Sequence, residues 1–360
     1  MFKKLLIVPV AICFTIAGYA QSTNTFLWRI SNPDNKNPSY LFGTIHLPQE
    51  KFMLLTDSVY NAIGKTDCFY GELDFLNVFS EMKDNEAFFQ SKLDYLDSVK
   101  KTSNWRRMIN SINRTYQTSI DPDSLEQFTQ FGQNLLGEFM KPDPGVTGLD
   151  IALASYASTL GKPTKGLETF VLQIDMLYKI IDARLTDSTL LFNDDIVLTS
   201  NLKQYYSDQK FDSLSALIEH INPSYKKIVF DNRNITMADS IKNISADRSA
   251  FFAVGCGHLL GTNGLIKILT AQGLQLTPVY SGNKLSITLM KKLFETGIKN
   301  MKKEIEKDNG YVKPEEPAGD DEKIEEIKDD MIISTVKPVT KKTPLKKTPV
   351  KKTKTPLKKQ

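Results

Sequence analysis

The sequence is short of the residues that usually announce chemistry. Histidine and cysteine occur three times each in 360 residues. The cysteines form no Cys-x-x-Cys pair, which sets aside a zinc knuckle and a disulfide scaffold. There is no glycine-rich phosphate loop and no Gly-x-Ser-x-Gly elbow, which removes nucleotide use and the serine-hydrolase elbow. Beyond the N-terminus no apolar run reaches the length of a membrane span. Acids vanish from Lys337 to Gln360, where ten lysines stand with no carboxylate. Taking those ten from 46 basic residues leaves 36 against 42 acids, so the net +4 hides a mildly acidic remainder. That remainder presents no basic face for nucleic acid.

What is there begins with an export layout. Met1-Phe2-Lys3-Lys4 precedes an apolar run from Leu5 to Ala17, then Gly18-Tyr19-Ala20 before Gln21. A basic start, a short apolar stretch and small residues at the cut predict a cleaved signal peptide over residues 1–20. The mature protein is then expected to be periplasmic or secreted, with no stable membrane span. Cys68 and Cys256 would remain, and both fit buried thiols; no spacing points to a bridge or a soft metal ligand.

With 41% hydrophobic residues, the chain can bury one large core or two modest ones. Phe26–Ile30 and Tyr40–Phe42 read as strands around a turn carrying Asn-Pro-Asp-Asn and Asn-Pro. Met53–Ile63 has helical spacing and Asp67–Leu73 reads as a strand. From Phe75 to about Gly137 the pattern is long amphipathic helices, with Trp105, Ile109 and Ile112 at core spacing. A loop at Asp143–Gly148 leads to a helix over Leu149–Leu160, a short extended stretch before Glu168, and helices from Phe170 to about Ile244. Ala250–Val254, Gly264–Gln272 and Leu276–Tyr280 read as strand, helix and strand, a parallel α/β unit. Residues 301–360 turn charged, then repeat Thr-Pro-Leu-Lys-Lys and Thr-Pro-Val-Lys-Lys. They carry too little apolar surface to offset ordering and read as a disordered tail, whose lysines can touch an anionic surface or simply stay solvated.

The chemistry rests on an echo. L-F-G-T-I-H-L contains His46 and V-G-C-G-H-L-L contains His258, each an apolar strand followed by Gly-x-x-His-Leu. A strand ending in glycine can turn sharply, and the histidine then leaves the carboxyl end, where ligands sit in α/β sheets. Neutral imidazole there is a metal ligand or a general base. The third histidine, His220, has no glycine near it and is given no role. Glu72 ends an apolar strand, where a carboxylate is costly unless paired or bound to metal. Glu168 has the same layout, and can also cap the helix that follows. Arg233, in Asp-Asn-Arg-Asn-Ile, can act as a fixed positive clamp on a carboxylate or an oxyanion, or form a surface ion pair.

Taken in order, L-F-G-T-I-H-L, G-E-L-D, G-L-D, G-L-E-T with Gln173, R-N and V-G-C-G-H-L-L-G resemble the TraB/GumN family over about Phe26 to Tyr280. That family includes the Tiki metalloproteases and is distantly similar to erythromycin-esterase-like and ChaN-like proteins. The resemblance implies an α/β fold of two related halves, with a central mixed sheet flanked by helices and a long helical insertion between them. It implies one cleft holding His46, Glu72 and His258. For the Tiki branch it implies metal-dependent peptide hydrolysis, with cobalt or manganese as the metal.

The resulting expectation is an exported hydrolase on residues 21–300, acting on a peptide or a small ester or amide. His46, His258 and Glu72 would hold a divalent ion (cobalt, manganese or zinc). Glu72 or Glu168 would take the proton, and Arg233 would steady the oxyanion. Metal-free, esterase-like hydrolysis and a non-catalytic haem or metal binder are the alternatives that stay open.

Overall fold

A computed structural model describes residues 25–45, 56–75, 77–140, 148–187, 201–202, 204–280 and scattered positions between 292 and 303. Leu27–Asn32 (β1) and Asn35–Thr44 (β2) form an antiparallel hairpin across Pro33 and Asp34. Asn32 Oδ1 accepts from the Asp34 N–H at 3.1 Å, closing the turn. Asn37-Pro38, expected in the turn, lies inside β2 instead. The β1–β2 register slips between Ile30 and Asn32, and such an irregularity tolerates a residue with no N–H. The remaining strands are Cys68–Leu73 (β3), Thr164–Glu168 (β4), Ala250–Gly255 (β5) and Gln275–Pro278 (β6).

The six strands form one mixed sheet in the order β4-β3-β5-β2-β1-β6. β4, β3, β5 and β2 run parallel, while β1 is antiparallel to both its neighbours. β5 is buried at every residue, as its unbroken apolar run and its place between two parallel neighbours require. The strands β5 and β6 share a direction, but β2 and β1 lie between them. The expected strand–helix–strand unit is therefore parallel without being adjacent.

Helix Asp57–Lys65 (α1) joins β2 to β3 in the chain. Val78–Asp84 (α2), Glu86–Val99 (α3), Ser103–Tyr116 (α4), Leu125–Met140 (α5) and Leu149–Thr159 (α6) separate β3 from β4. Trp105, Met108, Ile109 and Ile112 of α4 bury together with Leu96, Ile120 and Leu185 in a core of their own, the one their spacing predicts. Trp105 Nε1–H donates to Pro122 O at 2.7 Å, which satisfies its polar edge. Leu149–Ala157 of α6 is buried on every side, the mark of an interior helix.

Between β4 and β5 run Phe170–Thr186 (α7), Phe211–Glu219 (α8) and Asn232–Asp247 (α9). α9 is entered through a short helical turn, Pro223–Lys226, and a π-helical turn, Lys227–Asp231. Such wide turns inside α-helices are frequent at functional sites. Cys256–Leu259 (α10) and Leu265–Ala271 (α11) follow β5. This is the α/β class that the strand and helix patterns imply, with helices flanking a mixed sheet.

The carboxyl ends of the four parallel strands share one edge. Thr44 pairs with Gly255 across β2 and β5, and Leu73 with Glu168 across β3 and β4. Every ionisable residue that the strand-end reading singles out, apart from His46, thus belongs to one edge or the helices above it. His46 lies outside the described residues.

Candidate active site

The two Gly-x-x-His strands are neighbours, yet their motifs are one residue out of register. Gly43 pairs with Val254, and Thr44 pairs with Gly255. Nor do the glycines serve the turn expected of them. Gly255 has an ordinary φ of −51°, and the positive-φ glycines among the described residues are Gly161, Gly261 and Gly273. Their value is space. A Cβ on Gly43 would come within 3.1 Å of Cys256 Cα, and one on Gly257 within 2.5 Å of the Phe230 ring. Bare backbone lets Phe230 pack edge-on to the His258 ring, with centroids 5.2 Å apart.

His258 sits on the short turn after β5 and is 3% exposed. Its Nδ1 lies 2.6 Å from Asn234 Oδ1. Asn234 Nδ2 donates to Asn263 O at 2.8 Å. A carbonyl only accepts, so the Asn234 amide nitrogen faces Asn263 and its oxygen faces the imidazole. His258 therefore carries a proton on Nδ1, and its Nε2 faces Glu72 Oε1 at 3.6 Å.

Glu72 is buried at the end of β3. Its Oε1 accepts from the Gly255 N–H at 2.6 Å, which ties β3 to the end of β5. Its Oε2 accepts from Arg233 Nη2 at 2.8 Å and Gln173 Nε2 at 3.4 Å. Glu168, at the end of β4, receives Arg233 Nε at 2.8 Å, Arg233 Nη2 at 2.6 Å and Gln173 Nε2 at 3.3 Å. Arg233 Nη1–H turns back to Val229 O at 3.0 Å, in the π-turn. One guanidinium thus spans two buried carboxylates. Burial opposes its charge, but the Glu168 hydrogen bonds and the two carboxylate charges outweigh that and raise its pKa. The trio carries one net negative charge.

These groups open on a cleft of about 470 Å³ lined by Thr44, Glu72, Asp150, Arg233, Cys256 and His258 among others. Cys256 and Cys68 are free and buried, as their sequence context implies. Burial first, then the charge of Asp150, pushes the Cys256 thiol up to about 12, so it stays protonated. His220, by contrast, is exposed at the end of α8, its Nδ1 2.6 Å from Ala216 O, and does not line the cleft.

The model of the family described as TraB/PrgY/gumN matches residues 26–278, which spans the whole sheet from β1 to β6. The chain belongs to the TraB/PrgY/gumN family. Among curated proteins it is similar to the metalloprotease TIKI2 of Danio rerio, at 22% identity over 313 residues. That match covers 69% of this chain and 60% of the relative, so the chain spans about three-fifths of the relative's length.

The relative's metalloprotease name raises the question of whether this TraB/PrgY/gumN site suits a metal. Among the described residues no group of three or more His, Cys, Asp or Glu side chains is set to hold an ion. His258 Nε2 and Glu72 Oε1 are nonetheless a matched pair. A cation about 2.0–2.2 Å from each donor, at a tetrahedral angle, separates them by about 3.4 Å, and the observed separation is 3.6 Å. An imidazole Nε2 held in place from Nδ1, with a carboxylate beside it, is a donor set that a divalent ion can use. The donors present fit, and a third ligand must come from elsewhere.

Asn234 and Gln173 are the members of the site to which sequence reasoning assigned no role. Both stand inside the strings that carry the family resemblance, but neither is charged. Asn234 is 24 residues before His258, and Gln173 is 101 after Glu72. No helix or strand period links such distances.

Proposed function

We propose that this protein is an exported, metal-dependent hydrolase of peptide bonds, carried on residues 21–300 between a cleaved leader and a tail of residues 301–360. The observation that carries the reading is His258 Nε2 facing Glu72 Oε1 at 3.6 Å in the cleft. His258 and Glu72, with His46 as the third ligand, would hold cobalt, manganese or zinc. A bound divalent ion supplies an acidified water and a polarised carbonyl.

The chain's own residues do the rest. Asn234 keeps a His258 proton on Nδ1 and turns Nε2 toward the cleft, where it would bind the ion as a neutral imidazole. Of the two glutamates only Glu72 lines the cleft, and it is the proton acceptor for the attacking water. Glu168 is a positioning residue that fixes Arg233 through Nε and Nη2. Those bonds, with the ones to Glu72 and Val229, engage four of the five guanidinium N–H groups. The remaining Nη1–H is the one available to a developing oxyanion.

Among the described residues no helix is long and apolar enough to cross a membrane. Export is proposed from the leader, and N-terminal sequencing of the recovered protein should begin at Gln21. The lysine-rich tail is proposed to contact anionic surfaces. The deciding experiment measures metal content and peptidase activity of the full chain, beside His46→Ala, Glu72→Ala and His258→Ala. Stoichiometric metal in the wild type, lost with activity in folded variants, supports the reading. Activity that survives exhaustive chelation instead favours metal-free hydrolysis.

A further inference from the structure

We propose that the cleft accepts an extended peptide, with a large apolar side chain next to the cleaved bond packed against Phe75, Met176, Leu177, Val229 and Phe230. This rests on the hydrolase reading and names its substrate class. The cleft is lined by all five residues, and they come from three separate elements in one repeated pattern. On α7, Gln173 touches both glutamates, while Met176 and Leu177 follow at i+3 and i+4. Leading into α9, Arg233 clasps the glutamates, while Val229 and Phe230 precede it by four and three residues. Past β3, Phe75 stands three residues beyond Glu72. Each element sets a polar contact on the floor and an apolar neighbour along the wall. One helical turn, about 5.4 Å, separates the two levels on a helix. Successive residues of an extended peptide are about 3.3 Å apart, so a side chain beside a bond held at the floor reaches this wall. Among the described residues, the charged ones that line the cleft are Glu72, Asp150 and Arg233, all at the strand-end floor or buried in α6. A charged side chain against the wall would be desolvated with no partner among the described residues.

Leu177 is 48% exposed, so it can be changed without opening a core. The test digests a random peptide library with the metal-loaded full chain and maps the cuts by mass spectrometry. It then compares matched peptides carrying Leu, Asp or Lys at the selected position, for wild type and Leu177→Asp. Uncleavable phosphinic peptides with Leu or Asp report binding by calorimetry. Cuts should cluster beside Leu, Met and Phe, with kcat/KM for the Leu peptide roughly 10- to 100-fold above the Asp peptide. Leu177→Asp should raise KM for the Leu peptide and shift preference toward Lys. Cuts without apolar enrichment, or an unmoved Leu-to-Lys ratio in Leu177→Asp, overturn the subsite and leave the hydrolase reading standing. A wild-type chain that cuts nothing and binds neither phosphinic peptide overturns both.

Discussion

Asn234 Oδ1 lies 2.6 Å from His258 Nδ1, and that contact decides which nitrogen of the imidazole faces Glu72. Replacing Asn234 with Leu should release the tautomer. Long-range proton–nitrogen NMR can read this directly, because three histidines make a simple spectrum. The wild type should show His258 protonated on Nδ1, and the variant a mixture. Affinity for a divalent ion should fall about 10- to 100-fold in Asn234→Leu. A wild-type spectrum with the proton on Nε2 would contradict the assignment.

Arg233 is the sole described cation between Glu72 and Glu168. Arg233→Met should leave two buried carboxylates facing each other and cost about 3–5 kcal/mol of stability at neutral pH. Denaturant unfolding at neutral pH measures it. Arg233→Lys should recover little, since an ammonium cannot span both acids as the planar guanidinium does.

Glu219 ties α8 to the loop after His258. Its Oε2 accepts from Lys226 Nζ at 2.6 Å, and its Oε1 accepts from the Thr262 N–H. The Lys226 hydrogen bond first, then that of Thr262, holds its pKa down to about 2 from an ordinary 4.5. A value depressed on folding means a contribution present above pH 4.5 and lost as the pH falls from there toward 2. The side chain is 34% exposed, which moderates the effect. Thermal unfolding of Glu219→Gln should lie below wild type at neutral pH and converge with it in acid. Parallel curves throughout would remove Glu219 from the acid limb.

Thr44 is fully buried at the cleft, and its hydroxyl has no hydrogen-bond partner among the described residues. An unmade hydrogen bond of this kind is costly. Thr44→Val keeps the branched shape that suits β2 and removes the orphan group. It should stabilise the protein by about 1 kcal/mol, seen as a higher Tm. A lower Tm would show that the hydroxyl holds something in the native protein.

Some of the site could be read without coordinates. Glu72 ends an apolar strand, His258 follows one and Glu168 closes a short strand, positions where a buried polar group is conspicuous because it must be compensated. Arg233 is legible as a fixed charge, but its partners are not, since they lie 161 and 65 residues away. Gln173 and Asn234 are uncharged and obey no local period, so only contact reveals them. The glycines misled for a related reason. A glycine looks the same in sequence whether it serves a turn or a close approach, and Gly43 and Gly257 serve the second.

Local pattern by itself determined the elements: the apolar run that makes β5 a buried strand, the helical spacing of Trp105, Ile109 and Ile112, and the acids that end β3 and β4. These follow from side-chain periodicity, which acts over a few residues. Only the tertiary structure decided the order of the strands, which slots β5 between β3 and β2. That insertion brings the Gly255 N–H to Glu72, sets His258 beside it, and lets one arginine hold two carboxylates. Such contacts depend on which surfaces bury each other across the whole chain, and no window of sequence contains both partners.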